Sequence, residues 1–309
     1  MLLIKNTWTG LRHKHWTLFA TFTYFLKGIA RETNILSNFF LEWHRKTICR
    51  QFKKKWLKQY GEICCFDFNG AKFPDISADK DNFLLMTGSV FEDTFFIPCY
   101  YDDNYDKTLV ERLDRHMNEG PYGYIDGTFD VTVRKNDVVI DAGAWLGDFS
   151  AYAASKNATC YAFEPVAATF RTLCETAELN KSHIFPVQKG LGSEESQLDI
   201  SVPACTSASS FIMFHENGQI ETIQITTLDK FVEENKLSKI DFIKADIEGA
   251  ERDMLLGATN VLKTFAPKLA ICTYHLPDDP EVLEKIILDA NPDYTVRHLR
   301  HKLFAMVIK

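Results

Sequence analysis

From residue 121 onward, the pattern of apolar and polar positions switches between two periods. Short apolar runs with strand character are separated by stretches whose apolar residues recur every three or four positions, as in a helix with one buried face. The predicted strands cover 138–140, 160–163, 184–188, 198–202, 220–226, 240–244, 269–273, 294–298 and 304–308, and the predicted helices begin at 149, 167, 228, 251 and 279. This alternation predicts an α/β fold, with a doubly wound, mostly parallel sheet that has an antiparallel end.

The turn after the first of these strands is the most informative stretch of the chain. An unbroken apolar run leads into Asp141, two glycines and the start of a helix. Gly143 and Gly147 allow the backbone to turn sharply and approach a ligand, while a helix N-terminus offers unpaired N–H groups. The next strand ends on Glu164. Because neighbouring parallel strands end at the same edge of a sheet, Asp141 and Glu164 are predicted to share one crevice.

The same turn distinguishes between two classes of cofactor. A dinucleotide site needs three closely spaced glycines and a helix N-terminus that is open to a pyrophosphate. Here Trp145 stands where a glycine is expected, and Asp141 would repel the phosphates. S-adenosylmethionine has cationic amino and sulfonium groups, no phosphate, and ribose hydroxyls that suit Glu164 as an acceptor. The residues therefore favour S-adenosylmethionine over a nicotinamide dinucleotide.

Charge is distributed unevenly along the 309 residues. Residues 1–60 carry twelve Lys or Arg and two Glu, a net of +10, so the total of −7 leaves −17 for the remainder. Apolar residues at 35, 39, 43, 48, 52, 56 and 60 with basic residues between them predict an amphipathic helix, or two. Two interpretations stay open: this segment docks on the acidic domain or a second subunit, or it attaches to an anionic membrane surface.

Several classes of protein are excluded or disfavoured by the same observations. The apolar stretch 17–26 is about ten residues long, half of what a membrane-spanning helix needs. No strand platform interleaves aromatic and basic residues, and the acidic remainder would repel phosphates, so no nucleic-acid partner is expected. The eight cysteines show no C-x-x-C spacing and are typical of reduced thiols in a cytoplasmic protein. We predict a basic segment over 1–60, a small mixed α/β cover over 61–120, and the α/β domain over 121–309.

Segments spread over the α/β domain together resemble the FkbM family of S-adenosylmethionine-dependent methyltransferases, over about residues 120–309. They are the stretches 139–147, 162–165, 179–180 and 227–229, and above all 243–251, Ile-Lys-Ala-Asp-Ile-Glu-Gly-Ala-Glu. The resemblance implies a Rossmann-like fold of the class I methyltransferase type and transfer of a methyl group to a hydroxyl of a sugar or another natural product. One departure is Tyr274 before His275, where many members have glutamate.

The predicted site combines the resemblance with the strand ends. The cofactor residues are predicted to be Asp141, Gly143, Ala144, Trp145, Gly147, Glu164, Pro165, Gln188 and Asp246. Asp246, Glu248 and His275 are the catalytic candidates, because two carboxylates and an imidazole at adjacent strand ends can orient an acceptor hydroxyl and take its proton. Asp246 is narrowly preferred as the residue that orients the acceptor or serves as the base, with His275 as the second polar contact. No metal is expected, because Asp246 and Glu248 lack an obvious third ligand.

The sequence thus predicts an S-adenosylmethionine-dependent O-methyltransferase acting on a hydroxyl of a sugar, glycan or related natural product. A catalytically silent cofactor-binding scaffold, whose basic N-terminal helix binds a partner or a membrane, is the alternative. The protein is expected to be cytoplasmic, with attachment to the inner face of the membrane and homo-oligomer formation both left open.

Overall fold

The computed structural model describes residues 50, 53–68, 70–78, 122–202, 219–299 and 301–308. The chain divides into two compact units, one formed by 1–59 with 75–118 and the other by 60–74 with 119–309. Most of the predicted basic segment 1–60 and of the cover 61–120 lies outside the described residues, so their assignment as separate domains stays a prediction. None of the described helices is long and apolar enough to cross a membrane.

A seven-stranded sheet forms the centre of the larger unit. Its strands, in spatial order, are β14 (Tyr294–Leu299), β15 (Lys302–Val307), β13 (Lys268–Cys272), β12 (Phe242–Ala245), β6 (Val138–Ala142), β7 (Thr159–Phe163) and β8 (Ile184–Val187). β8, β7, β6, β12 and β13 are mutually parallel, whereas β15 pairs antiparallel with both β13 and β14. The predicted doubly wound, mostly parallel sheet with an antiparallel end is therefore confirmed.

The helices of this unit follow the strands along the chain. They are α1 (Asp148–Ser155), α2 (Ala167–Leu179), α3 (Leu228–Glu234), α4 (Glu251–Leu256), α5 (Thr259–Thr264) and α6 (Asp279–Ala290). The continuous helix predicted over 251–262 is in fact two short helices. Gly257 ends α4, and a Cβ there would lie 2.0 Å from the carbonyl oxygen of Gly192, so the chain bends at the one residue that fits.

Apolar side chains cover both faces of the central sheet. Successive residues of a strand point to opposite faces. Ile140 and Ile243 accordingly belong to one buried cluster, whereas Val139 and Phe242, their neighbours in the same strands, belong to another. Burial on both faces explains why these strands read as unbroken apolar runs, and it leaves their carboxyl ends as the place for polar side chains.

A second sheet is inserted between β8 and β12. It contains β9 (Gly190–Leu191), β10 (Ser196–Val202) and β11 (Gln219–Thr226) in the order β10, β11, β9. β10 and β11 pair antiparallel from Ser196 opposite Ile225 to Val202 opposite Gln219. Ile200 and Ile223 on its inner face pack on Val166, just before α2. The sheet therefore places an apolar surface near the carboxyl ends of β7 and β8.

Small strands precede the central sheet along the chain. β1 (Leu57–Tyr60), β2 (Ile63–Phe68) and β3 (Ala71–Pro74) form a three-stranded sheet, and β4 (Tyr124–Asp126) pairs with β5 (Phe129–Val131). The predicted strand 63–68 is thus present as β2. The strands expected at 83–86 and 94–99 and the helix expected at 107–118 lie outside the described residues.

Candidate active site

Asp141 lies at the end of β6, as predicted, but its carboxylate does not face the crevice. The side chain is fully buried, and Oδ1 lies 3.1 Å from Nζ of Lys244 while Oδ2 accepts a 2.6 Å hydrogen bond from Ser150. Burial alone would lower the pKa of Lys244, but Asp141 and nearby carboxylates outweigh it and raise that pKa well above its usual range. Asp141 therefore anchors a buried ion pair beneath the turn, and its role in holding the cofactor through the backbone loop stays a prediction.

The buried ion pair fixes the loop between β6 and α1. Lys244 Nζ also donates to the carbonyl oxygens of Ala142, at 3.2 Å, and Gly143, at 2.6 Å. Gly143 has φ +73°, and a Cβ there would lie only 1.9 Å from the carbonyl oxygen of Asp246. A glycine is therefore required where the loops after β6 and β12 meet. The close approach brings the two strand ends into one site.

Glu164, at the end of β7, is the most tightly held carboxylate of the site. Its Oε1 accepts hydrogen bonds from Val166 N and Thr169 Oγ1, each 2.9 Å long, and its Oε2 accepts one of 3.0 Å from Trp145 N. Burial raises the pKa of Glu164 to about 7, although these three donors and Lys244 act in the opposite direction. A further hydroxyl donor would favour the ionised carboxylate.

A cavity opens at the carboxyl ends of these strands. Its polar wall contains Glu164, Lys189, Asp246, Glu248 and Asp253, and its apolar wall contains Phe163, Val166, Leu191, Leu198, Ile200, Ile223 and Ile225. The apolar wall comes largely from the inserted sheet. The lining therefore offers apolar surface that suits a flat apolar group and acidic side chains that suit a polar, partly cationic group.

The cavity wall includes some of the predicted cofactor residues and not others. Gly143, Trp145, Glu164, Pro165 and Asp246 line it, whereas Asp141, Ala144, Gly147 and Gln188 do not. Ala144 instead packs into a small cluster with Leu173, and a Cβ on Gly147 would lie 2.8 Å from Leu173 Cδ1, so both residues bring the turn against α2. β8 ends at Val187, and Lys189 rather than Gln188 reaches the wall.

Asp246, just after β12, is held by two tyrosine hydroxyls. Tyr122 donates to Oδ2 at 2.5 Å and Tyr274 donates to Oδ1 at 3.2 Å. Burial alone would raise the pKa of Asp246, but Lys244, Lys302 and other neighbours outweigh it and lower that pKa. Asp246 is therefore an ionised, oriented hydrogen-bond acceptor.

His275 is surrounded by carboxylates. Its Nδ1 lies 3.1 Å from Glu251 Oε1, and its Nε2 lies 3.3 Å from Glu248 Oε2 and 3.7 Å from Asp246 Oδ1. Burial alone would lower the pKa of His275, but these carboxylates outweigh it and raise that pKa to about 10. The ring is thus an imidazolium at neutral pH. An imidazolium has no free nitrogen lone pair to accept a proton, so this raised pKa disfavours His275 as the base, and its catalytic role stays a prediction.

Glu248 and Glu251 have different surroundings in the turn before α4. Both carboxylate oxygens of Glu251 accept backbone N–H groups of the turn, from Ile247 at 2.8 Å and Gly249 at 3.0 Å. Glu248 has φ +53° and lines the cavity. Burial and the neighbouring acids, Asp246 and Glu251, raise the pKa of Glu248, while His275 opposes the shift. Glu251 holds the turn in place, and Glu248 presents a carboxylate of raised pKa to the cavity.

The fold brings together three candidate metal ligands, although the sequence did not reveal a third. Donor atoms of Asp246, Glu251 and His275 lie within 4.8 Å of one another. These atoms already pair among themselves, because the imidazolium neutralises the acids and Glu251 holds the turn. The expectation that no metal binds at this site stays a prediction.

Two functional neighbours of Asp246 were missed in the sequence. Tyr122 is 124 positions away from Asp246, and its ring carries Lys302 Nζ at 4.3 Å and Lys244 Nζ at 5.3 Å from the centroid. Lys302 is almost completely buried, on an antiparallel strand whose apolar pattern predicts only packing. Neither residue has a local motif, so only the folded arrangement shows that both support Asp246.

The sheet order and the crevice at its carboxyl edge define a Rossmann-like α/β fold of the class I methyltransferase type. Residues 141–299 match the methyltransferase FkbM domain, and this match covers more than half of the chain. The chain therefore belongs to the FkbM methyltransferase domain family, as the resemblance of its motifs indicated.

Two curated relatives and one solved structure illustrate the similarity. The chain is 28% identical over 156 residues to the hexuronic acid methyltransferase AglP of Haloferax volcanii, covering 50% of this chain and 63% of that protein. It is 30% identical over 158 residues to methyltransferase 1 of Beauveria bassiana, covering 43% and 64%. The crystal structure of methyltransferase FkbM from Methylobacillus flagellatus KT aligns with 23% identity, a TM-score of 0.42, and coverage of 55% and 43%. The alignments span less than two thirds of each curated relative.

Proposed function

We propose that the protein is an S-adenosylmethionine-dependent O-methyltransferase that acts on a hydroxyl of a sugar, glycan or related natural product. The observation that carries the proposal is the cavity itself, which combines a fixed carboxylate, Glu164, with an apolar wall from the inserted sheet. The family of the chain and the hexuronic acid methyltransferase among its relatives support it.

The cavity fits the chemical groups of this cofactor. Glu164 keeps one lone pair, on Oε2, for a ribose hydroxyl, because a carboxylate offers about four acceptor sites and three are taken by the surrounding donors. The apolar wall around Leu191, Ile200 and Ile223 suits the adenine ring. Asp246 and Glu248 place further negative charge on the cavity wall, where cationic groups would be stabilised.

The bound cofactor supplies a methyl group on a sulfonium, which is a good leaving group for in-line displacement. In the balanced reaction the carbon–sulfur bond breaks, a carbon–oxygen bond forms to the acceptor, and the hydroxyl proton leaves to a base. The role of the protein is to hold the acceptor oxygen close to the methyl carbon and to receive this proton.

The carboxylates of Asp246 and Glu248 suit different parts of that role. Asp246 has a lowered pKa and is fixed by Tyr122, so it serves as the orienting acceptor for the hydroxyl. Glu248 has a raised pKa and lines the same cavity, which makes it the better proton acceptor. His275, already protonated, stabilises the negative charges of both carboxylates.

The test is an acceptor screen with S-adenosylmethionine labelled on the methyl group. We expect label in at least one sugar, nucleotide sugar or glycolipid, together with an equal amount of S-adenosylhomocysteine. Cofactor binding without transfer to any acceptor would instead favour the scaffold alternative. Binding of NADH in preference to S-adenosylmethionine would overturn the proposal.

A further inference from the structure

Tyr274, the second residue after β13, presents an aromatic ring to solvent at the edge of the site. Its side chain and backbone are 36% exposed, whereas His275 next to it has a side chain only 4% exposed. Two neighbouring rings fix the position of the Tyr274 ring. It packs on the ring of His275 with centroids 4.1 Å apart, and it forms a T-shaped contact with the ring of His301, with centroids 6.1 Å apart.

The position of this ring is tied to Asp246. The hydroxyl of Tyr274 donates to Oδ1 of Asp246, while Tyr122 donates to Oδ2 from the buried side. Asp246 lines the cofactor cavity and Tyr274 does not. The same carboxylate therefore borders two places, the cavity for the cofactor and the open surface beside an exposed tyrosine.

We propose that Tyr274 is the stacking platform of the acceptor subsite and that it selects acceptors with a hydroxylated ring, such as a pyranose. This inference rests on the proposed function and deepens it. The C–H face of the sugar ring lies on the aromatic face of Tyr274, and the hydroxyl to be methylated donates to Oδ1 of Asp246.

The chemistry of the two neighbours explains why a ring acceptor fits. A carboxylate oxygen has two lone pairs, so Oδ1 can accept from a substrate hydroxyl as well as from the phenol of Tyr274. A pyranose combines an apolar face of C–H groups with a rim of hydroxyls, which matches an aromatic face beside a carboxylate. An acyclic polyol has the hydroxyls without the rigid apolar face and would gain little from Tyr274.

The packing on His275 makes the platform preformed. His275 is fixed by three carboxylates, so the tyrosine ring rests on a rigid support. A preformed surface loses little conformational freedom when the acceptor binds. Replacing Tyr274 by alanine should therefore weaken binding of a ring acceptor by about tenfold to a hundredfold, as expected for loss of an aromatic contact and its buried area.

The experiment measures acceptor binding without turnover, by saturation-transfer NMR in the presence of S-adenosylhomocysteine. The probes are the methyl pyranosides of glucose, galactose, mannose and glucuronic acid, with mannitol as the acyclic comparison. The proteins are the full chain, Tyr274→Ala, Tyr274→Phe and Phe185→Ala. Phe185 is the matched control, because it is an aromatic residue 45% exposed on β8 that stacks on Tyr161.

We expect saturation transfer to at least one pyranoside in the parent, its loss in Tyr274→Ala, and its retention in Tyr274→Phe and Phe185→Ala. Absence of transfer to every pyranoside in the parent, or an equal loss in the alanine and phenylalanine variants, would overturn the platform. Calorimetry with S-adenosylmethionine on the same samples separates the two proposals. If the cofactor binds and the pyranoside signal is the same in Tyr274→Ala as in the parent, the stacking platform is wrong and the proposed function is retained. If the cofactor does not bind, the proposed function is wrong.

Discussion

Two regions of the cavity wall are built in opposite ways: the one around Glu164, which we propose binds the cofactor and call the cofactor end, and the one around Asp246 and Glu248, which we propose binds the acceptor and call the acceptor end. At the cofactor end, one carboxylate, Glu164, is held by two backbone N–H groups and one hydroxyl, and it faces an apolar wall. At the acceptor end, Asp246 and Glu248 belong to a dense network of charges that includes His275 and Lys302. Hydrogen bonds from residues close in the sequence orient the carboxylate of the cofactor end. Charged and hydroxyl groups from residues distant in the sequence surround the carboxylates of the acceptor end.

This difference indicates how each end responds to change. Glu164 bonds to groups no more than 19 positions away, so the cofactor end should tolerate changes elsewhere in the chain. Asp246 depends on Tyr122 and Tyr274, 124 and 28 positions away, so the acceptor end should be sensitive to distant substitutions. The predictions below test this contrast, from the largest expected effect to the smallest.

Asp246→Asn should have the largest effect on chemistry. The amide keeps the shape but loses the charge that orients the acceptor, so the rate of single-turnover methyl transfer should fall by about 10²–10⁴-fold. Rapid-quench experiments with labelled cofactor measure this single-turnover rate. Asp199→Asn, on the exposed side of β10, is the control and should react at the parent rate. Parent-rate transfer by Asp246→Asn would remove Asp246 from the mechanism.

His275→Gln should have the largest effect on stability. It leaves the surrounding carboxylates without their imidazolium, at a cost of about 3–5 kcal/mol in the free energy of unfolding near neutrality. Because the folded-state pKa is raised to about 10, the contribution of His275 is complete below pH 6.5 and is lost as the pH rises through 10.

Urea denaturation between pH 6 and pH 10.5 measures this contribution as the difference between parent and variant. The difference should shrink toward the alkaline end of the range. His298→Gln is the control, since His298 pairs with Glu284 on the surface and should contribute little. A difference that stays constant over this pH range would show that His275 is not charged in the folded protein.

Tyr122→Phe should have an intermediate effect. It removes the hydrogen bond to Asp246, worth about 1.5–3 kcal/mol for a charged acceptor, and so should slow single-turnover transfer by about tenfold or more. The pH profile of the rate should also shift upward, because the pKa of Asp246 rises without this donor. The neighbouring Tyr124, whose ring stacks on Phe304, provides the control variant Tyr124→Phe. An unchanged pH profile would contradict a positioning role for Tyr122.

The smallest expected effect is the pH dependence of cofactor affinity. In the proposed complex a ribose hydroxyl donates to the ionised form of Glu164, whose pKa is raised to about 7 in the free protein. Affinity for S-adenosylmethionine should therefore fall by up to about tenfold per pH unit below 7 and level off above 8. Calorimetry at pH 6, 7 and 8 tests this, with Glu164→Gln expected to lose the slope. A flat profile in the parent protein would argue against contact between Glu164 and the ribose.

The contrast between the two ends also explains what the sequence could predict. Apolar runs and their spacing predicted the sheet, and the local motif identified Gly143, Trp145 and Glu164 on the cavity wall. Asp141 was placed at the right strand end, but its buried pairing could not be predicted, because its partner Lys244 comes from a neighbouring strand 103 positions later. Tyr122 and Lys302 could not be predicted, since their contacts with the site arise only when distant strands assemble.

The pKa of His275 could likewise not be predicted from the sequence alone. Histidine has an ordinary pKa suited to a base near neutrality, and this made it a reasonable candidate from the sequence alone. The turn before α4 brings Glu248 and Glu251 against its ring, and that arrangement reverses its chemistry. The residue types at the acceptor end were predictable, but their protonation states required the fold.

The central claim is that Glu164 holds the ribose of S-adenosylmethionine, and calorimetry at pH 8 tests it most directly. The parent protein should bind S-adenosylmethionine more tightly than NADH, and Glu164→Ala should lose about 1.5–3 kcal/mol of the binding free energy. Glu175→Ala, which removes an exposed carboxylate on α2, should bind like the parent. Unchanged affinity in Glu164→Ala, or tighter binding of NADH, would contradict the account.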